Sequence, residues 1–393
     1  MVEGSVRTTG GRIRIAVQLI ETRSESQLWA EQYERDSKNL LALQRDIGEA
    51  IARQITNRLG IPHANPTIET RRHSTVAEAY EHYLRGHYHW LQDTTDGLHK
   101  AMDHFRRAIE LDSSYALAYS GLADTYTLLG SYGVLPMREA YPLGRAAALK
   151  ALELDDTLGE AHNSFAAISA DFYWEWAEAE RHFKRAIDLS PNYETAHRFY
   201  SFYLAYMGRH AEALTFADRA RRVNPVSPFA LMNVATIHYF ARRYDEAIAD
   251  IEATLDLSPD FAPVIILLGR VYVAKGMPDR AVDELERAER LMGPRPDVTT
   301  PHAWVLARAG RQRQARAMLD ELRRNSKPKD PAPFRIAMVH MALGETDRAF
   351  EGFEKAIEAR DWQMALLNVE PAFDGLRSDP RFAALVERVG LPR

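Results

Sequence analysis

The sequence predicts a mainly α chain: a right-handed α-solenoid of about eight helix-turn-helix repeats, preceded by a partial α/β module. Three observations lead there. Ala179, Ala213, Ala247, Ala281, Ala315 and Ala349 recur every 34 residues without a slip. Gly208, Gly276, Gly310 and Gly344 keep the same phase, as do Pro191, Pro225 and Pro259. The first sixty residues instead alternate with period 2 around a Gly-Gly turn. A fixed period of this length marks stacked repeats, each too small to bury its own apolar face.

The N-terminal segment comes first. Val2–Arg7, the turn Thr8-Thr9-Gly10-Gly11 and Arg12–Glu21 read as a hairpin, with Ile13, Ile15, Val17 and Leu19 on one face. Gln27–Tyr33 reads as a third strand. A helix over Leu40–Leu59, capped by Asp36 or Ser37 and ended by Gly60, follows. Three strands and a helix leave a sheet half covered, so residues 1–60 are expected to be the later part of a larger α/β domain. Residues 61–74, with two prolines and Arg71-Arg72-His73, read as a linker.

Residues 75–360 form the repeat array. Each unit has a helix A, a tight turn, and a helix B that opens at the ladder alanine. Small side chains there let the two helices approach closely, while large neighbours such as Phe183, Ile251, Leu285 and Phe353 fill the groove. The glycines past helix A suit a left-handed residue that closes the helix end. Arg242 stands where that series asks for glycine, at a backbone cost if the turn is the same. The prolines separate one unit from the next. An insertion, Ser131–Glu139, lengthens the turn of the second unit. Residues 361–393 contain Phe382, Leu385, Val386 and Val389 at helical spacing, and are expected to cap the last repeat.

Composition narrows the function. The net charge of −5 speaks against a nucleic-acid footprint, which needs a basic face. The absence of cysteine excludes disulfides, thiol catalysis and Cys-held metals. Apolar runs such as Val264–Leu268 are too short to span a bilayer, and the N-terminus has no signal-peptide core. A cytoplasmic chain is expected, or a periplasmic one where an upstream region carries a membrane anchor. The oligomeric state is left open.

No phosphate loop, kinase motif or nucleophile with its base is present, so no catalytic residue and no cofactor are expected. His82, His87 and His89 lack the spacing of metal ligands, and packing among tyrosines and Trp90 accounts for them better. The aromatic run Asp171–Trp176 reads either as a ligand platform or as a packed corner at an A–B turn, with the corner favoured. Geometry offers a better site. Placing the ladder register on each helix A points one stripe to the concave side: Arg198, Phe202 and Tyr206; Met232, Thr236 and Tyr239; Ile266 and Arg270; Trp304 and Arg308; Phe334, Met338 and Met341. Aromatic and methionine side chains with scattered arginines suit an adaptable groove for a protein or peptide ligand. Some of these also serve packing. Trp304→Ala and Arg270→Glu are expected to weaken partner binding without loss of helix.

The repeat length and the pattern Leu268-Gly269, Tyr272, Gly276, Ala281, Leu285, Ala288 resemble the tetratricopeptide (TPR) family. Gly4-Ser5-Val6-Arg7, Arg14-Ile15, Gln18-Leu19, Trp29 and Tyr33 resemble the second half of the TolB-like/FlgO-like domain, without its usual upstream half. Together with the segments Tyr80–Trp90, Lys150–His162 and Leu376–Phe382, the chain is similar to the TPR tails of bacterial kinases, cyclases and winged-helix regulators. That resemblance implies a scaffold with a peptide-binding surface, or the regulatory tail of a signalling protein whose effector domain is not in this chain. The Lys/Asn clamp by which some TPR domains hold C-terminal carboxylates is not evident.

Overall fold

The structure is a computed structural model. It describes residues 2–9, 12–21, 26–36, 50, 74–92, 94–293, 295–325 and 333–392. These fall into two compact units, residues 1–84 with 107–115, and residues 85–106 with 116–393.

In the first unit, β1 (Val2–Thr9), β2 (Arg12–Glu21) and β3 (Ser26–Asp36) form an antiparallel sheet in the order β1-β2-β3. Ile15 lies opposite Val6 on one side and Tyr33 on the other, with a register shift at Leu19/Ile20. Val17 and Tyr33 are buried, and Ile13, Ile15 and Trp29 pack against them. The alternation read from β2 is therefore the buried face. On the other face Arg14 pairs with Glu34 across the strands at 2.9 Å. The helix expected over Leu40–Leu59 and the linker at 61–73 lie outside the described residues, apart from helical Ala50.

Seventeen α-helices follow among the described residues: α1 (Ala77–Leu91), α2 (Thr95–Leu111), α3 (Ala116–Ser131), α4 (Met137–Leu154), α5 (Gly159–Ile168), α6 (Trp176–Leu189), α7 (Glu194–Tyr206), α8 (His210–Val223), α9 (Pro228–Phe240), α10 (Tyr244–Leu257), α11 (Ala262–Ala274), α12 (Pro278–Met292), α13 (Pro296–Arg308), α14 (Gln312–Asn325), α15 (Pro333–Ala342), α16 (Thr346–Ala359) and α17 (Pro380–Val389). In the second unit each odd helix from α3 to α15 packs on the even helix after it, and consecutive odd helices pack on one another. This is the stacking of a solenoid. The ladder alanines are fully buried between the paired helices. At Gly269 an added Cβ would lie 2.0 Å from Leu285 Cδ2, so α11 and α12 meet there with no room for a side chain.

The turn glycines take φ between +73° and +77°, as their phase requires. Arg242 makes the same turn at φ +62°: its N–H donates to the Tyr239 carbonyl, and Arg243 N–H to the His238 carbonyl, as Gly276 and Met277 do one repeat later. The expected insertion is shorter than read, because Pro136 sets the entry to α4 and the helix takes in Met137–Glu139. At the corner after α5 the chain makes a π-helical turn, Ser169–Tyr173, and Trp174 is left-handed at φ +58°.

Candidate functional site

Residues 361–376 bring the inner face of the array together. Arg360, left-handed at φ +56°, turns the chain out of α16. Two 3-10 turns follow, Trp362–Leu366 and Pro371–Leu376, and then α17. Each starts with an acidic cap: Asp361 accepts from Gln363 N–H at 3.1 Å, Glu370 from Ala372 N–H at 3.3 Å, and Asp379 from Arg381 N–H at 2.9 Å. Proline at the first position after Glu370 and Asp379 suits a turn whose leading N–H has no acceptor. Met364, Ala365, Leu367, Val369 and Phe373 are wholly buried, so the segment is part of the core.

Glu370 sits at the centre of the site with 1% of its surface exposed. Its carboxylate accepts from Tyr239 Oη on α9 and from the Arg270 guanidinium on α11, and Arg270 lies 5.2 Å over the Tyr239 ring. Burial, reinforced by the Glu370 charge, pushes the Tyr239 hydroxyl well above its ordinary pKa. The Arg270 pKa is raised because Glu370 outweighs the cost of burial. One turn on, Asp374 pairs with Arg242 at 2.6 Å and with Arg377 at 2.9 Å. Burial works against its charge, but the two guanidiniums hold its carboxyl below the ordinary value.

The far side of the segment is also fixed. Arg360 stacks on Trp174 at 4.4 Å, and Trp176 Nε1 donates to the Val389 carbonyl at 2.9 Å. Arg138 reaches the Glu358 carbonyl, and Arg335 reaches the Ser131 carbonyl at 3.3 Å. The second and third helix pairs thus meet the eighth and the tail. Trp174, Arg242 and Arg360 are the non-glycine residues with positive φ among the described residues, and all three side chains take part in seating the tail. Left-handed backbone at such residues costs about 1 kcal/mol each and persists where surrounding contacts hold it.

Two cavities remain between the tail and the odd helices. The first, about 180 Å³, has Ile266, Arg270, Trp304, Phe334 and Met338 on its walls, with Glu370 opposite. The second, about 420 Å³, shares Arg270 and Trp304 and adds Tyr239 and Arg308.

Eight of the thirteen residues read from the sequence as a groove are therefore brought together: Tyr239, Ile266, Arg270, Trp304, Arg308, Phe334, Met338 and Met341. Tyr239, Trp304 and Phe334 are buried, so they form walls of the site and are not open to an incoming chain. Trp304→Ala and Arg270→Glu would thus disturb the chain's own packing as well as any partner. Arg198, Phe202, Tyr206, Met232 and Thr236 lie outside both cavities. Arg198 pairs with Glu194 at 3.3 Å and stacks on Phe199 and Phe229; Phe202 and Met232 are half-buried; Tyr206 is buried. The aromatic corner packs: Phe172 stacks on Tyr141 at 5.0 Å. No group of three or more His, Asp or Glu side chains that could hold a metal occurs among the described residues, and no helix among them is long and apolar enough to cross a membrane. Sequence reasoning missed Glu370 and Asp374. The signals were present in Glu370-Pro371, a cap before a proline, and in Arg242, the exception in a glycine series.

Residues 202–262 and 241–298 match the family described as Tetratricopeptide repeat. Superkiller complex protein 3 of Mus musculus is 26% identical over 250 residues, 53% of this chain and 16% of that protein. Transcriptional regulator HilA of Salmonella typhimurium is 25% identical over 166 residues, 42% of this chain and 30% of HilA. The chain thus spans less than a third of the length of either relative. A solved structure titled as the human IFIT1 dimer with m7Gppp-AAAA superposes with a TM-score of 0.52 at 15% identity, over 81% of this chain and 80% of that one, which is a likeness of fold. Residues 202–298 of this chain thus carry tetratricopeptide repeats, and the helix pairs on either side continue the same stacking.

Proposed function

We propose that this chain is a protein- and peptide-binding scaffold that works through the inner face of its odd helices, without catalysis or cofactor of its own. The fold is one that supports protein interaction. The observation that carries the reading is the seat of residues 361–376: these helices already hold a stretch of polypeptide, reading one carboxylate through Tyr239 and Arg270. The stripe continues toward the earlier repeats in Arg198, Phe202 and Met232, which the tail does not use, and there an extended segment or helix of a partner would lie. The test is a partner captured by the whole chain and then measured against Arg198→Glu and Met232→Glu. Both variants should keep their helical circular dichroism and lose at least tenfold in affinity. Unchanged affinity in both would overturn the reading.

A second reading makes the array the regulatory tail of a signalling enzyme or transcriptional regulator. The match to HilA, of which it covers less than a third, favours it, as does the N-terminal sheet with its resemblance to a TolB-like domain. An effector domain in frame upstream of Met1 in the coding region would support this reading, and a stop codon there would reject it.

A further inference from the structure

The first cavity between the tail and the odd helices is apolar over most of its wall, through Ile266, Pro301, Trp304, Phe334, Met338 and Leu366. The charged part of its lining is two guanidiniums, Arg270 and Arg335, and two carboxylates, Asp297 and Glu370, so the lining carries no net charge. Each of the four already has a partner within the chain. Arg270 meets Glu370, Asp297 pairs with Arg295 at 2.9 Å, and Arg335 donates to the Ser131 carbonyl at 3.3 Å. A charged occupant would be desolvated there without an unpaired counter-charge to meet it. The volume, about 180 Å³, is close to the ~150 Å³ of an apolar protein cavity that takes up benzene. The chain seats a phenyl ring of its own against the same wall: Phe373 of the tail lies edge-on to Phe334, with 6.0 Å between ring centroids. The indole N–H of Trp304, a residue 6% exposed, has no partner among the described residues.

We infer that the first cavity is the anchor pocket for a partner's peptide segment and takes one phenylalanine side chain from it. This deepens the scaffold reading and rests on it. Ile266 lies 34 residues after Met232, at the same place on its own helix, so a segment laid along Arg198, Phe202 and Met232 meets the cavity next. Three features select the occupant. Balanced, internally paired charges select a neutral side chain. The volume selects a single six-membered ring. The rings of Trp304 and Phe334 and the thioether of Met338 offer the edge, face and sulfur contacts that an aromatic ring gains from most. The unpartnered Trp304 N–H then favours a peptide over a free hydrocarbon, because a peptide brings carbonyl acceptors and a hydrocarbon brings none. The tail is the rear wall of the pocket and stays in place, since five of its side chains are wholly buried.

The test titrates the full chain with the acetylated, amidated peptide Ser-Gly-Phe-Gly-Ser and with versions that carry Glu or Lys in place of Phe. Toluene, the same ring without a backbone, is the second arm. Calorimetry and ligand-observed nuclear magnetic resonance report binding. The Phe peptide should bind at millimolar concentration or below, at least tenfold more tightly than either charged version, and added salt should change its affinity little. Met338→Trp, at a half-buried position on the wall, fills the cavity and should weaken the Phe peptide at least tenfold while the circular dichroism is unchanged. Should that variant lose helix, Ile266→Trp fills the cavity from another helix and carries the same expectation. Equal binding of the three peptides, or no binding by the Phe peptide, would overturn the inference. So would a folded, cavity-filled variant that binds the Phe peptide as wild type does. Binding of toluene without the Phe peptide would also overturn it and assign the cavity to free hydrocarbons. If the Phe peptide fails but Arg198→Glu still abolishes partner capture, the anchor pocket falls and the scaffold reading stands. If the Phe peptide binds as expected but Arg198→Glu and Met232→Glu leave partner capture unchanged, the pocket stands and the longer inner-face path falls.

Discussion

At Arg242 two costs compete. A non-glycine residue at φ +62° costs about 1 kcal/mol, and its ion pair with half-exposed Asp374 returns a similar amount. Arg242→Gly should therefore change unfolding free energy by less than about 1 kcal/mol, whereas Arg242→Ala, which keeps the strain and loses the pair, should cost about 1 kcal/mol or more. Urea denaturation of both variants checks this. Glu370→Ala is harsher. It leaves the half-buried Arg270 guanidinium with no counter-charge, and should cost about 3 kcal/mol. A second expectation concerns pH. Burial pushes the Asp171 carboxyl up to about 7. The folded chain then binds that proton more tightly than the unfolded chain, so ionising Asp171 subtracts stability as pH rises from about 4 to 7. His182, lowered to about 4 by burial, acts in the opposite sense, so the informative quantity is a difference between variants. Asp171→Asn should match wild type at pH 4 and exceed it by on the order of 1 kcal/mol at pH 8.

At the scale of elements, the odd–even pairs are held by small residues at fixed places. Gly269→Ala drives a methyl into Leu285, and Ala281→Leu overfills the same seam. Each should cost roughly 1–3 kcal/mol in thermal or urea unfolding, while the same changes at exposed positions of α12 should cost little. These seams were legible because a repeat writes its packing into the sequence at a constant interval: Ala281, Leu285 and Ala288 say what they touch, since Ala247 and Ala315 say it again. The stripe from Tyr239 to Met341 could be placed along the cavity walls for the same reason, being a fixed offset from the ladder. The tail was not. Glu370 meets Arg270 at a separation of 100 residues, and it does so once. No periodicity announces a contact made a single time, and a buried glutamate is spelled like a surface one. Its traces were local: the loss of glycine at Arg242 marked a turn that something approached, and Glu370-Pro371 spelled a cap. The paired strands were readable from β2, whose alternation is local, and the bulge beside Leu19 was not.

The largest scale concerns what the tail does to the second unit taken alone. An open stack of repeats is tied only between neighbours, so its ends fray and its middle can outlast them. Here Trp176 bonds the Val389 carbonyl across 213 residues of sequence, and Arg242 bonds Asp374 across 132. The last elements of the chain are thereby neighbours of the early and middle repeats. In statistical terms a linear lattice has been given a closing bond, and its late end loses its cheap first step in melting. Amide hydrogens of α6 and α17 should then exchange at nearly the same rate, through one shared opening, and Trp176→Phe should speed both together.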